Sequence, residues 1–236
     1  PEAEPYGVIG AGTLGTRYSG DCLLVRDETP YDAEGLTSIE YIAEEGATVV
    51  LVARRADKLE AVAAEINAAG GKAVAIPGDV TEMDTATNVC AKTVELFGRI
   101  DILVNCAGKN ILKPAEDYDT GSFMDVMNLN LVALHTVTRL TGKRFMIPQM
   151  SGKILNLSSV KSIIGTTRDY IAYCASKGAL NMYTKQLACE WGKYNINVNA
   201  IAPTFVRTAI NSFQLDDKEF YDSLVSRIPL GRIGQK

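Results

Sequence analysis

Residues 48–76 read TVVLVARRADKLEAVAAEINAAGGKAVAI, and the fold follows from the two changes of period inside that stretch. Thr48–Ala53 (TVVLVA) is an unbroken β-branched run, the pattern of a strand covered on both faces. Across Ala56–Ala69 the period changes: Leu59, Val62, Ala63 and Ile66 recur at helical spacing. Gly70-Gly71 ends that helix, and Lys72–Ile76 returns to a strand. Strand, helix and strand in this order form a βαβ unit, whose two strands lie parallel.

The same alternation continues in both directions. Upstream, Cys22–Val25 (CLLV) is a short strand. Downstream come a helix over Thr81–Phe97 closed by Gly98, a strand over Asp101–Asn105 (DILVN) and a helix over Phe123–Arg139. Then follow a strand over Lys153–Leu157 (KILNL), a helix over Tyr173–Trp191 and a strand over Ile196–Ile201 that runs to Pro203. Short buried strands separated by helices predict an α/β, doubly wound, mostly parallel sheet of Rossmann type, with helices on both faces and right-handed crossovers. Neither a repeat nor a low-complexity linker interrupts residues 1–236, so a single domain is expected. Pro1–Gly20 reads as an irregular N-terminal extension. The run ends in the loop-like Gly234-Gln235-Lys236, so a last strand and helix of the sheet are expected to be missing at the C-terminus, as in a truncated chain.

Composition narrows the function classes. The 236 residues are 47% hydrophobic and 22% charged, an ordinary globular balance that can bury a core without disulfide staples. A formal charge of −4 weighs against general affinity for nucleic acid or anionic lipid. No apolar run reaches the ~20 residues of a membrane span, and Pro1–Tyr6 is acidic, unlike a signal peptide. The five cysteines (Cys22, Cys90, Cys106, Cys174, Cys189) are odd in number and lack CxxC spacing, so the expectation is buried reduced thiols, no metal site and a cytoplasmic location. His135, the one histidine, lies on an apolar-rich helix and is given no role. A hydrolase built on Ser159 and His135 is improbable, because no G-x-S-x-G elbow surrounds the serine.

Chemistry concentrates in Tyr173-Cys174-Ala175-Ser176-Lys177. Tyr and Lys four apart on a helix lie one above the other. A free phenol titrates near ~10 and a free ammonium near ~10.4, so neither relays protons well at neutral pH alone. A fixed cation beside the phenol favours phenolate and draws its pKa toward the working range. The Ser159 hydroxyl, just past a strand end, can hold a substrate oxygen.

Tyr173 and Lys177, with Ser159 fourteen residues ahead of the tyrosine, resemble the active site of the short-chain dehydrogenase/reductase family. Asn105-Cys106-Ala107-Gly108 resembles that family's NxAG turn, Asn130 stands where the family has its catalytic asparagine, and Asp79-Val80 matches the adenine-contacting position. Ala202-Pro203 followed by Thr208 is similar to the loop over the nicotinamide carboxamide. The resemblance implies hydride transfer between a nicotinamide and a carbonyl or alcohol carbon. It gives Tyr173 the proton, Ser159 the oxygen, Lys177 the tyrosine pKa and the ribose, and Asn130 a relay water. Asn105, Ala107, Gly108, Asp79, Val80, Pro203, Thr208, Tyr173 and Lys177 would line the cofactor.

A pyrophosphate cradle needs a glycine-rich turn opening a helix. Family alignment puts it in Glu28–Gly35, where only Gly35 agrees, three acidic side chains repel phosphate and Pro30 removes a donor. A rival motif, Gly10-Ala11-Gly12-Thr13-Leu14-Gly15, is followed by too short a stretch to form the helix. Both segments stay open. After the second strand the chain has Arg54-Arg55 where an acidic residue would bind ribose hydroxyls; a guanidinium suits a 2′-phosphate, which favours NADP (NADPH) over NAD.

In the resembling family Phe205–Ser226 forms a helical flap over the substrate. The run Arg227-Ile228-Pro229-Leu230-Gly231-Arg232 is similar to one in gluconate-type dehydrogenases and 3-oxoacyl carrier-protein reductases. A small-molecule sugar acid or polyol is therefore expected, with no nucleic-acid or membrane partner, and the family's packing of the helices that carry Asn130 and Tyr173 against symmetry mates implies a homotetramer. The degenerate Glu28–Gly35 keeps a second reading open: a catalytically silent dinucleotide-fold protein that binds or regulates.

Overall fold

The computed structural model describes residues 22–25, 43, 46–207 and 215–234. Six strands form one sheet in the order β3-β2-β1-β4-β5-β6. They are β1 (Cys22–Val25), β2 (Thr48–Ala53), β3 (Lys72–Pro77), β4 (Ile102–Asn105), β5 (Gly152–Leu157) and β6 (Ile196–Ile201). Every pairing within it is parallel, with Val52 opposite Ile76, Val25 opposite Asn105 and Asn105 opposite Asn156. The order reverses between β1 and β4, which makes a crevice at their carboxyl ends the natural ligand site of such a sheet.

The helices are α1 (Ala56–Ala68), α2 (Met83–Phe97), α3 (Thr120–Met127), α4 (Leu134–Thr141), α5 (Ile171–Trp191) and α6 (Lys218–Val225). Alternate side chains of β2 go to opposite faces. Val50 and Val52 join Val89, Leu103, Val137 and Leu187, which brings α2, α4 and α5 onto one side. Val49 and Leu51 meet Leu59, Ala63 and Ile66 of α1 on the other. Each such aliphatic side chain contributes roughly 1.5–3 kcal/mol when fully buried, which suits the all-aliphatic interior of β2, Val49–Val52. A third small cluster of Leu215, Leu224 and Ile233 packs with Phe205 and Phe220 around α6.

The expected helix over Phe123–Arg139 needs correction. Helical backbone runs on from Thr120 to Gln149, and two π stretches interrupt it, Asn128–Ala133 and Gly142–Met146. Asp119 caps its start, accepting the Ser122 N–H at 2.8 Å. In the second π stretch a Cβ on Gly142 would lie 2.1 Å from the Trp191 ring, so only glycine lets α5 approach there. The thiols also depart from expectation: Cys90, Cys106, Cys174 and Cys189 are free, but only Cys90 is buried, Cys106 and Cys174 are half-buried and Cys189 is exposed.

Among the described residues no helix is long and apolar enough to cross a membrane. The proposed N-terminal extension, both candidate phosphate loops, Gly35 and Thr208 lie outside the described residues.

Candidate active site

Parallel strands bring their carboxyl ends to one edge. Arg54, Asp79, Ala107-Gly108, Ser159 and Pro203 each follow such an end closely. Ser159 caps the 3-10 turn Val160–Ser162 by accepting the Lys161 N–H at 3.2 Å. The Pro203 carbonyl accepts the Val160 N–H at 3.0 Å, which ties the end of β6 to this turn.

Helix α5 starts beside it. Tyr173 lies in its first turn, close enough to Ser159 for that side chain to act on the phenol. One turn on, Lys177 is 4% exposed. Its amine donates to the Leu157 carbonyl at 2.6 Å and stands 5.7 Å from the centre of the Tyr173 ring. Burial draws the Lys177 pKa down to about 8, against the opposing influence of the Cys106 thiol.

Here an expectation fails. The phenol of Tyr173 is raised above its ordinary value, not lowered. Burial is the main cause; the neighbouring Ser159 hydroxyl opposes it, while Tyr170 and Cys174 push further up. The Lys177 ammonium is committed to the Leu157 carbonyl, so desolvation governs the phenol.

Asn130 sits fully buried within the first π stretch. Its Oδ1 accepts the Lys109 N–H at 2.8 Å, and its Nδ2 donates to the Lys109 carbonyl at 3.0 Å and to Ser176 Oγ at 2.9 Å. Ser176 in turn donates to the Tyr173 carbonyl at 2.8 Å. One amide therefore clamps the loop after β4 and the helix that carries the phenol. A π insertion shifts side-chain phase within a helix, and such insertions are frequent at functional sites. A Cβ on Gly108 would stand 3.4 Å from Asn130 Oδ1 and 3.5 Å from Lys177 Nζ, so the glycine leaves the floor of the crevice bare above both polar groups.

Other expected cofactor residues stand differently. The Asn105 amide turns inward, donating to Thr138 Oγ1 at 3.0 Å and Asn156 Oδ1 at 2.9 Å. Asn156 passes the chain to Thr184 Oγ1 at 2.9 Å. Asn105 thus joins β4, β5, α4 and α5, and its side chain is structural. Val80 and Ala107 are buried in the core, which leaves their main chain for contact with a ligand. Pro203 is exposed. Arg54 faces Asp79 across 4.0 Å, with both side chains substantially exposed. For Asp79, burial acts upward, but hydrogen bonds from the Thr81 side chain and N–H, then the charges of Arg54 and Lys109, outweigh it and hold the carboxyl below its usual value.

Sequence reading missed Ser176, Asn156, Thr138 and Thr184, the polar interior that supports these residues. Ser176 lies inside the quoted Tyr173–Lys177 segment, but its role depends on Asn130, 46 positions away.

The family model for short chain dehydrogenases matches residues 35–219. The chain belongs to this family. It is an oxidoreductase acting on CH–OH groups, of a family that uses NAD or NADP. Gluconate 5-dehydrogenase of Gluconobacter oxydans is 37% identical over 202 residues, 85% of this chain and 78% of the relative. NAD-dependent glycerol dehydrogenase of Listeria innocua is 36% identical over 200 residues, covering 85% and 76%. A crystal structure of gluconate 5-dehydrogenase from Burkholderia cenocepacia in complex with NADP and tartrate superposes with a TM-score of 0.84 at 32% identity, over 93% of this chain and 84% of that one.

Proposed function

We propose that the chain is an NADPH-preferring dehydrogenase that interconverts a ketone and a secondary alcohol on a sugar acid or polyol, with Tyr173 moving the hydroxyl proton. The observation that carries this is the grouping of Tyr173 with Ser159 and with the buried amine of Lys177, 5.7 Å from the phenol ring centre, at the carboxyl edge of a parallel sheet.

A nicotinamide cofactor, when bound, supplies or accepts the hydride. The donor set fits such a group: the crevice floor at Gly108 is bare, Lys177 is a buried cation, and Arg54 with Asp79 stands at the β2–β3 end. Arg54 would hold an adenosine 2′-phosphate, Asp79 the adenine, Val80, Ala107 and Pro203 would contribute main chain, and Lys177 the nicotinamide ribose. NADP bound to the gluconate 5-dehydrogenase structure supports the preference; the NAD-dependent glycerol relative marks the alternative.

Ser159 orients the substrate oxygen through the hydroxyl that meets Tyr173. Because burial keeps the phenol protonated, Tyr173 is ready to donate to a developing alkoxide in the reductive direction. Asn130 holds the loop and the helix in register, and any relay water would rest on this clamp.

The whole chain is read as one catalytic domain, and its free thiols suit a reducing cytoplasm. Met124 and Val132 on the α3–α4 run and Met182 on α5 are large apolar side chains left exposed, which supports a homotetramer assembled through these helices.

The test is direct. Purified protein titrated with NADPH should enhance nicotinamide fluorescence, and with NADP it should oxidise gluconate or a polyol. Failure to bind at millimolar cofactor would return the chain to a silent binding role.

A further inference from the structure

Three cations gather around the start of α5 and the end of α6. Lys161 follows Ser159 by two residues; its N–H holds the Ser159 hydroxyl, and its amine lies 5.1 Å from the centre of the Tyr170 ring. Tyr170 itself stands edge to face with Tyr173, ring centres 6.3 Å apart. Arg168, in the loop before α5, covers the Phe220 ring at 4.6 Å, and Phe220 meets Phe205 edge-on at 5.7 Å. Arg227, just past α6, donates through Nε to the Ser223 carbonyl at 2.9 Å.

The three come from separate segments, yet Arg227 and Arg168 are close enough to act on the charge of Lys161. Among the described residues none of the three pairs with a carboxylate. Six ion pairs do form among the described residues elsewhere, so acids are not scarce. Like charges converging without a counter-ion repel, and a half-buried ammonium is desolvated besides. Burial is indeed what most depresses the Lys161 pKa; Cys174 opposes this, and Arg227 and Arg168 add to it. An anion set between the three would relieve both penalties, and guanidinium groups match a carboxylate in geometry.

We infer that Lys161, Arg168 and Arg227 form an anion-binding wall beside Tyr173 that holds the carboxylate of the substrate. This rests on the dehydrogenase reading above and narrows its substrate from sugar acids or polyols to sugar acids. The carboxylate is anchored at Lys161 while a carbon further along the chain presents its oxygen to Tyr173 and Ser159. Two of the three cations border α6.

Calorimetric titration of gluconate and of sorbitol, its uncharged counterpart, into the NADPH-loaded protein tests this, because neither pairing can turn over. Gluconate should bind at least about tenfold more tightly than sorbitol, and Lys161→Met or Arg227→Met should each cut that ratio by about tenfold. Arg227 is exposed, so its variant decides the matter should Lys161→Met fail to fold. Equal affinity for acid and polyol, an unchanged ratio in Arg227→Met, or no gluconate binding would overturn the wall. Gluconate binding that depends on Arg227 but is accompanied by no oxidation with NADP would support the wall and break the dehydrogenase reading instead.

Discussion

The two ends of the crevice are built in opposite ways. Around Tyr173 the polar groups are buried and already satisfied: Asn130, Ser176 and Lys177 have at most 4% exposure, and each has a hydrogen-bonded partner. At the β2–β3 end, Arg54 and Asp79 stand apart by 4.0 Å with side-chain exposures of 43% and 37%. The difference suits the roles proposed for the two ends. Proton transfer rewards groups fixed in a dry environment, where their orientation costs nothing at the moment of reaction. Gripping the far end of a cofactor needs only charge, and a solvated pair can part to receive it. Changes at the first end should therefore cost rate and stability together, and changes at the second should cost selectivity alone.

Lys177→Met should show the largest coupled effect, lowering kcat by about two to four orders of magnitude if the amine supports proton transfer. It also carries a pH signature. The folded pKa of Lys177 is about 8, depressed from 10.5, so the folded state resists protonation of this amine. Below pH 8 that penalty is fully present, and it fades as pH rises from 8 toward 10.5. Wild type should therefore gain stability relative to the variant across this window, read as the change in urea midpoint; parallel profiles would contradict it.

Asn130→Ala should come next. It strips partners from the Lys109 N–H and carbonyl and from Ser176, and the buried unsatisfied groups should cost about 2–4 kcal/mol, measured by denaturant unfolding. Turnover should fall with stability. A loss below about 1 kcal/mol would mean that water replaces the amide.

Arg54→Asp is the smallest effect on rate. It should shift the kcat/KM ratio for NADPH over NADH by about tenfold to a hundredfold, with unfolding unchanged to within about 0.5 kcal/mol. A shift in stability with no change in ratio would reverse the contrast between the ends.

The two ends also differ in how well sequence reports them. Thr48–Ala53 and Ile196–Ile201 are strands to the residue: the first is a nearly continuous apolar run buried on both faces, and in the second Ile196 and Val198 alternate with asparagines. Tyr173, Ser159 and Asn130 are brought together because each follows a strand end or rides a helix whose start was visible. The π stretches were not visible: Phe123–Arg139 has ordinary helical spacing, and nothing in its apolar period marks an insertion at Asn128–Ala133. Nor was the direction of the Asn105 amide, which is set by Thr138 and Asn156 at distances of 33 and 51 residues. The phenol pKa failed for a similar reason. Spacing put an ammonium one turn from Tyr173, but the Leu157 carbonyl, 20 residues before the lysine, claims it.

The most direct measurement is Tyr173→Phe, assayed for NADP-dependent gluconate oxidation alongside NADPH affinity by fluorescence. Removing only the hydroxyl should reduce kcat by about a thousandfold while the dissociation constant for NADPH changes less than about threefold. Turnover within about tenfold of wild type, at unchanged NADPH affinity, would show that the proton travels by another group.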